Sequence, residues 1–245
     1  MKKYIICAYN IDEEIEQNLI NLDITPVKLC GIQKFRKRHP SHPISYHPDM
    51  FCFHLNKNKW IFYDEVYRTN QNIIDRLNLE IITAENPASC EYPNDVGLNA
   101  AITGNNLICN VRHTNRIIID HTIQTKKNIN IIDVKQGYAK CSACIVDENA
   151  IITSDVSIYE KAKQNQIDAL PVEKGHIDLD GYDYGFIGGC SGLININGKN
   201  KLLFTGNIKL HPDYEKIKRF CDNRGVEIIS LSEKKLKDYG SLFVV

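Results

Sequence analysis

The chain has 245 residues, 43% hydrophobic and 24% charged, enough apolar side chain to bury a core as one large domain or two modest ones. Its 30 Lys+Arg are balanced by 30 Asp+Glu, so no global field draws it to nucleic acid or to an anionic membrane. No apolar run approaches the roughly 18 residues of a membrane span, and the one in MKKYIICAYNIDEE is too short for a signal-peptide core.

A cytoplasmic protein is therefore expected, with its nine cysteines reduced; their odd number and even spread do not read as a disulfide framework. The basic cluster at residues 34–39 (KFRKRH) reads as a solvated loop.

Residues 3–9 (KYIICAY) suit a buried strand, Asn10 and Asp12 signal a helix start, EEIEQNLINL follows with helical spacing, and residues 25–30 form a second strand. The same order recurs four times. WIFYD (60–64) leads through a helical segment with Ile73, Ile74 and Leu77 to LEIIT (79–83). LICN (107–110) leads through Ile117 to Ile123 to INIIDV (129–134). AIITSD (150–155) leads through VSIYEKAKQNQ to DALPV (168–172), and LLFTGN (202–207) through HPDYEKIKRFCDNRG to VEIIS (226–230). Such a repeat of a supersecondary unit has to be settled before any motif is read.

In the last four units a further strand precedes the core triplet: 47–55, 95–103, 141–147 and 184–196. Turn signals at Lys57-Asn58, Gly104-Asn105, 147–149 and 197–200 separate the two strands. The first unit lacks this strand, and the terminal run 239–245 is surplus. If that run fills the vacancy, five ββαβ units close into a ring without free sheet edges between its ends. The predicted fold is a five-bladed α/β propeller in a single domain, with units of approximately 1–46, 47–92, 93–138, 139–181 and 182–238 and a closing strand 239–245. A doubly wound α/β sheet would give about one strand per helix, and neither GxGxxG nor GxxxxGK[ST] is present to support a nucleotide fold.

This layout resembles the pentein superfamily, the guanidine-modifying enzymes and their non-enzymatic relatives. The segments HPDM (47–50), KQGYAKCSACIV (135–146), GYDYGFIGGCSG (181–192) and DYGSLFVV (238–245) are similar to a clostridial branch assigned to that fold. The resemblance implies a cysteine nucleophile on the C-terminal strand, a proton-shuttling histidine and acidic residues that grip a guanidinium at the central pore. Here Ser241 stands where that cysteine is expected, and Tyr138-Ala-Lys-Cys141 has no histidine where the family places one. Asp49 and Asp95 fit the acidic positions.

Asp49, Asp95 and Cys141 are 46 residues apart in turn, so on equivalent strands of a ring they would project together, with His47 on the same face by its i, i+2 spacing. Two carboxylates and a thiol suit a cationic substrate. The expected assignment makes Cys141 the nucleophile, His47 the acid/base, and Asp49 and Asp95 the cation grips. The competing readings are a small apolar core residue for Cys141, strand-end caps for the aspartates and a strand-entry hydrogen bond for His47.

Cys190, within Gly188-Gly-Cys-Ser-Gly192, is the second nucleophile candidate, since glycines allow close backbone approach and a nest of N–H donors, or alternatively mark a bulge. Lys140, Tyr184, Lys135 and Tyr138 are candidate rim ligands, and Ser241 a substrate contact. On a strand, Cys141 and Cys144 would face opposite ways, so CSAC is not expected to hold a metal or form a disulfide. Asp213 reads as a helix start. The overall expectation is a covalent C–N hydrolase or amidinotransferase-like enzyme without cofactor, acting on a small cationic molecule. The alternative is a non-catalytic pentein that binds a ligand or a protein partner.

Overall fold

The computed structural model describes residues 3–32, 43–87 and 89–245; the basic cluster at 34–39 lies outside them. The repeat resolves as five three-stranded sheets. In the first, β1 (Lys3–Ala8) runs parallel to β2 (Ile24–Leu29) across α1 (Glu13–Asn21).

The next blade is β3 (Cys52–Asn56), β4 (Lys59–Tyr63), α2 (Asp64–Ile74) and β5 (Glu80–Ala84), with β3 antiparallel and β5 parallel to β4. The third repeats this as β6 (Ala101–Thr103), β7 (Asn106–Cys109), α3 (Arg116–Thr125) and β8 (Asn130–Asp133). A helical turn, α4 (Ala139–Ser142), opens the fourth, followed by β9 (Cys144–Asp147), β10 (Ala150–Thr153), α5 (Val156–Gln164) and β11 (Asp168–Pro171). The fifth is β12 (Ser191–Ile196), β13 (Lys199–Phe204), α6 (Tyr214–Asp222) and β14 (Glu227–Ser230).

The C-terminal strand β15 (Phe243–Val244) then pairs antiparallel with β1, setting Ile5 opposite Val244. It takes the place beside β1 that β3, β6, β9 and β12 occupy beside their own middle strands, and the architecture is a five-bladed α/β propeller.

The middle strand of each blade is an unbroken apolar run because helices cover one face and neighbouring blades the other. Ile5 to Ala8, Trp60 to Phe62, Leu107 to Cys109, Ala150 to Ile152 and Leu202 to Phe204 are all fully buried. The helices bury i, i+4 pairs such as Ile15 and Leu19 in α1 and Ile217 and Cys221 in α6. The β12–β13 hairpin turns through Asn197 and Gly198 at φ 53 and 81, the left-handed pair that a tight two-residue hairpin needs.

The inner strands are shorter than the sequence suggests. They begin at Cys52, Ala101, Cys144 and Ser191, and the stretches ahead of them fold as turns. Pro48 cannot donate to a ladder and instead opens a 3-10 turn, Pro48–Met50. Gly188 approaches the α4 backbone so closely that a Cβ there would lie 2.4 Å from the Lys140 carbonyl oxygen.

Candidate functional site

The turns that replace the expected strand starts carry the polar side chains of the ring's centre. Asp49 sits in the 3-10 turn with its N–H bonded to the Gly240 carbonyl oxygen (3.1 Å). Cys141 sits in α4, and its thiol donates to Asp49 Oδ2 at 3.0 Å. Ser241 Oγ lies 2.8 Å from the same carboxylate oxygen and 3.0 Å from the Gly188 carbonyl, and Lys140 Nζ donates to it at 2.9 Å.

Asn99 locks the thiol in place. Its amide donates to Cys141 Sγ at 3.1 Å, while its oxygen accepts the N–H groups of Lys140 (2.8 Å) and Cys141 (3.3 Å). Asp238 accepts the N–H groups of Phe186 and Gly240, each at 2.9 Å, and His47 Nδ1 lies 3.6 Å from its Oδ1. A cavity of about 230 Å³ is lined by His47, Cys141 and Asp238 together with Tyr138, Tyr182 and Tyr184.

The electrostatics follow from burial. Asp49 is fully buried and its Oδ1 has no hydrogen-bond partner, so one acceptor is unused. Burial pushes the Cys141 thiol well above its usual 9.0; the charges of Asp49 and Asp238 add to this, and Asn99 opposes it. Asp238 is raised by burial, with Asp49 adding and His47 opposing. These contributions favour the neutral thiol over the thiolate.

The common phase of Asp49, Asp95 and Cys141 does not arise from strands, since all three lie in turns ahead of β3, β6 and β9. Asp49 and Cys141 meet. Asp95 bonds the Tyr138 hydroxyl instead, at 2.8 Å, and is raised by burial, with that bond opposing. It therefore reaches the cavity through Tyr138. Cys141 and Cys144 are separated by the end of a helical turn rather than by strand alternation, and Cys144 packs in an apolar cluster that also holds Cys190.

Cys190 is buried there with Sγ 3.3 Å from the Ile187 carbonyl oxygen and does not line the cavity. Tyr184 lines it. Lys135 does not line it but an adjoining groove that shares Tyr184 and Phe186 with it, and Asp213 occupies the N-cap position of α6, where it accepts from Glu173 N–H and Lys216. Among the described residues no group of His, Cys, Asp and Glu is arranged to hold a metal.

Two central residues escaped the sequence reading. Asp238 precedes Gly240, whose φ of +73 makes 238–241 a turn; the Asp-x-Gly order was the available signal. Asn99 carried no such mark within DVGLNAAIT.

The profile of a family of unknown function (DUF6873) matches residues 6–243. A comparison with curated proteins finds no match. Among solved structures the chain is similar to SxtG, an amidinotransferase from Microseira wollei in the saxitoxin biosynthetic pathway, with TM-score 0.53 and 11% identity over 94% of this chain and 88% of that one. It is also similar to DDAH from Pseudomonas aeruginosa in a mutant complexed with citrulline (TM-score 0.51, 11% identity, 95% and 92% covered). A third similar structure is agmatine deiminase from C. jejuni (TM-score 0.52, 12% identity, 94% and 87% covered). These likenesses show a shared pentein fold.

Proposed function

The chain belongs to the family of unknown function DUF6873, and within that family we propose that it binds a small guanidino compound in the 230 Å³ cavity and modifies it with Cys141 as covalent nucleophile. The observation that carries this reading is that Cys141, its Sγ 3.0 Å from Asp49 Oδ2, lines a cavity together with His47 and Asp238. A planar guanidinium offers paired N–H donors, and the Asp238 carboxylate on the cavity wall, with Asp49 behind the Cys141 thiol, is their complement.

Bound there, the cation offsets the negative field that keeps the thiol neutral. The sulfur attacks the central carbon while its proton passes to Asp49, forming the C–S bond. His47 protonates the departing nitrogen as the C–N bond breaks and ammonia or an amine leaves. Water or an acceptor amine then adds to the carbon, the C–S bond breaks, and the protons return to His47 and Cys141. This chemistry needs no cofactor, and it suits the reducing cytoplasm, where Cys141 stays a free thiol.

Two observations favour a second reading, a pentein that binds its ligand without turnover. Burial and two carboxylates hold Cys141 protonated, and Ser241 occupies the place expected for a nucleophile. The test is incubation with 2-chloroacetamidine, location of the adduct by mass spectrometry, and a melting and ammonia-release screen over guanidines. An adduct on Cys141 with ammonia or amine release supports catalysis. Stabilisation by a guanidine without release supports the binding protein. No adduct on Cys141 or Cys190 and no stabilisation would overturn both.

A further inference from the structure

The inner strands of all five blades line a second cavity, open to solvent, of about 360 Å³. Its apolar lining takes Phe53 from β3, Ile102 from β6, Ile145 from β9, Leu193 from β12 and Phe243 from β15. The 230 Å³ cavity is lined from the turns ahead of such strands, so the two occupy successive levels of the ring's centre. The charged residues differ as well. Lys126 and Lys140 line the second cavity, His54 beside them, and no Asp or Glu does so among the described residues.

Both ammonium groups have neutral partners. Lys126 Nζ donates to the Gly104 carbonyl at 2.8 Å, and Lys140 Nζ to Ser241 Oγ, lying 5.3 Å from the centre of the Phe243 ring. Glu148 is the carboxylate whose field reaches Lys126, and no ion pair forms with either lysine among the described residues. An ammonium has three donors, so each retains spare capacity. Two half-buried cations against apolar walls are complementary to an anion with a hydrocarbon body.

Lys140 also links the two levels. Its ammonium reaches Ser241 Oγ at 2.9 Å, that oxygen is 2.8 Å from Asp49 Oδ2, and the carboxylate accepts the Cys141 thiol at 3.0 Å. We propose that the second cavity binds a small organic carboxylate with an apolar body, and that its occupancy is felt at Cys141 through Lys140, Ser241 and Asp49. A bound carboxylate neutralises Lys140, and the Ser241 hydroxyl that it holds, which shares Asp49 Oδ2 with the thiol, loses its cationic partner. Cys141 then reacts more slowly. Binding at this site does not require the guanidine reading, because the lysines and the apolar walls recognise the anion by themselves.

Calorimetry on the full chain with hexanoate and benzoate, against hexanol and benzyl alcohol, tests the site. At least one acid binds saturably and its alcohol at least about tenfold more weakly, and Lys126→Gln, melting like the parent, weakens the acid by about fivefold or more. Saturating acid slows alkylation of Cys141 by iodoacetamide, read by mass spectrometry, by about threefold or more, and Lys140→Gln removes this dependence. Equal binding of acid and alcohol, or an affinity unchanged in Lys126→Gln, overturns the site. Alkylation indifferent to saturating acid overturns the coupling. Should Lys126→Gln not fold, Leu193→Trp fills the cavity from a partly exposed position, and undiminished acid binding in that variant overturns the proposal. Because no guanidine is used, failure here is distinguishable from failure of the proposed enzymatic function.

Discussion

Cys141 Sγ and Asp49 Oδ2 lie 3.0 Å apart across 92 residues of chain, and the nearest charged group to the thiol is thus a carboxylate. A carboxylate disfavours thiolate, so the contact favours the neutral thiol, a preference that a bound cation would oppose.

The alkylation rate of Cys141 is therefore expected to rise with pH along a curve whose midpoint lies above 9.0, since burial and then Asp49 and Asp238 raise the thiol. Asp49→Asn removes one negative charge and lowers the midpoint, and for every pH unit by which the midpoint falls, alkylation at pH 8 speeds up by about tenfold. A saturating guanidinium ligand should move the parent's curve the same way. A pH series with iodoacetamide, with the site read by mass spectrometry, measures both.

Asp95 sets a pH dependence of stability. Its folded pKa lies above 3.8, so the native state holds the proton more tightly than the unfolded chain does. The favourable contribution is complete below the unfolded value and is lost as pH rises through the folded one. At pH 7 the buried charge is a cost, and Asp95→Asn, which can still accept from Tyr138, should melt about 2–4 °C higher, as about 1 kcal/mol does in a chain of this size. The advantage should vanish below pH 4. A melting series from pH 3 to 8 checks it.

Gly240 is placed against His47. At φ +73 an L side chain is strained, and a Cβ there would lie 2.2 Å from the His47 Cβ. Gly240→Ala should cost about 2–4 kcal/mol in urea unfolding and displace His47 from Asp238. Gly198, with φ +81 but nothing within 4 Å, is the control; Gly198→Ala should cost about 1 kcal/mol.

Asn99 holds two backbone N–H groups of α4 and the thiol itself. Asn99→Ala leaves buried donors unpaired and should cost roughly 2–3 kcal/mol. It should also move the alkylation midpoint of Cys141 further up, because the Asn99 bond opposes the rise. Both effects are read by combining urea unfolding with the pH series.

Much of the fold was legible. The runs WIFY, LIC and AIIT, each followed by a helical period and a second apolar run, are middle strands buried on both faces, and local hydrophobic spacing reports that directly. The turn pairs Lys57-Asn58 and Gly104-Asn105 separated strands that do pair as hairpins. The candidate site was legible only in part. The strand reading of 47–55 and 141–147 grouped His47, Asp49 and Cys141 by alternation, whereas a 3-10 turn and α4 position them. Asp238 and Asn99 were absent from that grouping because a carboxylate in a terminal turn and an amide in a loop have no periodicity.

By itself, the order of apolar runs, helical spacings and turn residues determined five repeated units and a terminal strand free to complete the first, since those properties are local to each segment. Only the tertiary structure decided that β15 pairs with β1, that the turns ahead of the inner strands bring Asp49 to Cys141 and His47 to Asp238, and that Lys140, on the second cavity, reaches Ser241. Those relations depend on the ring closing, which brings residues 92 and 192 positions apart within hydrogen-bond distance, and no local pattern encodes a contact of that range.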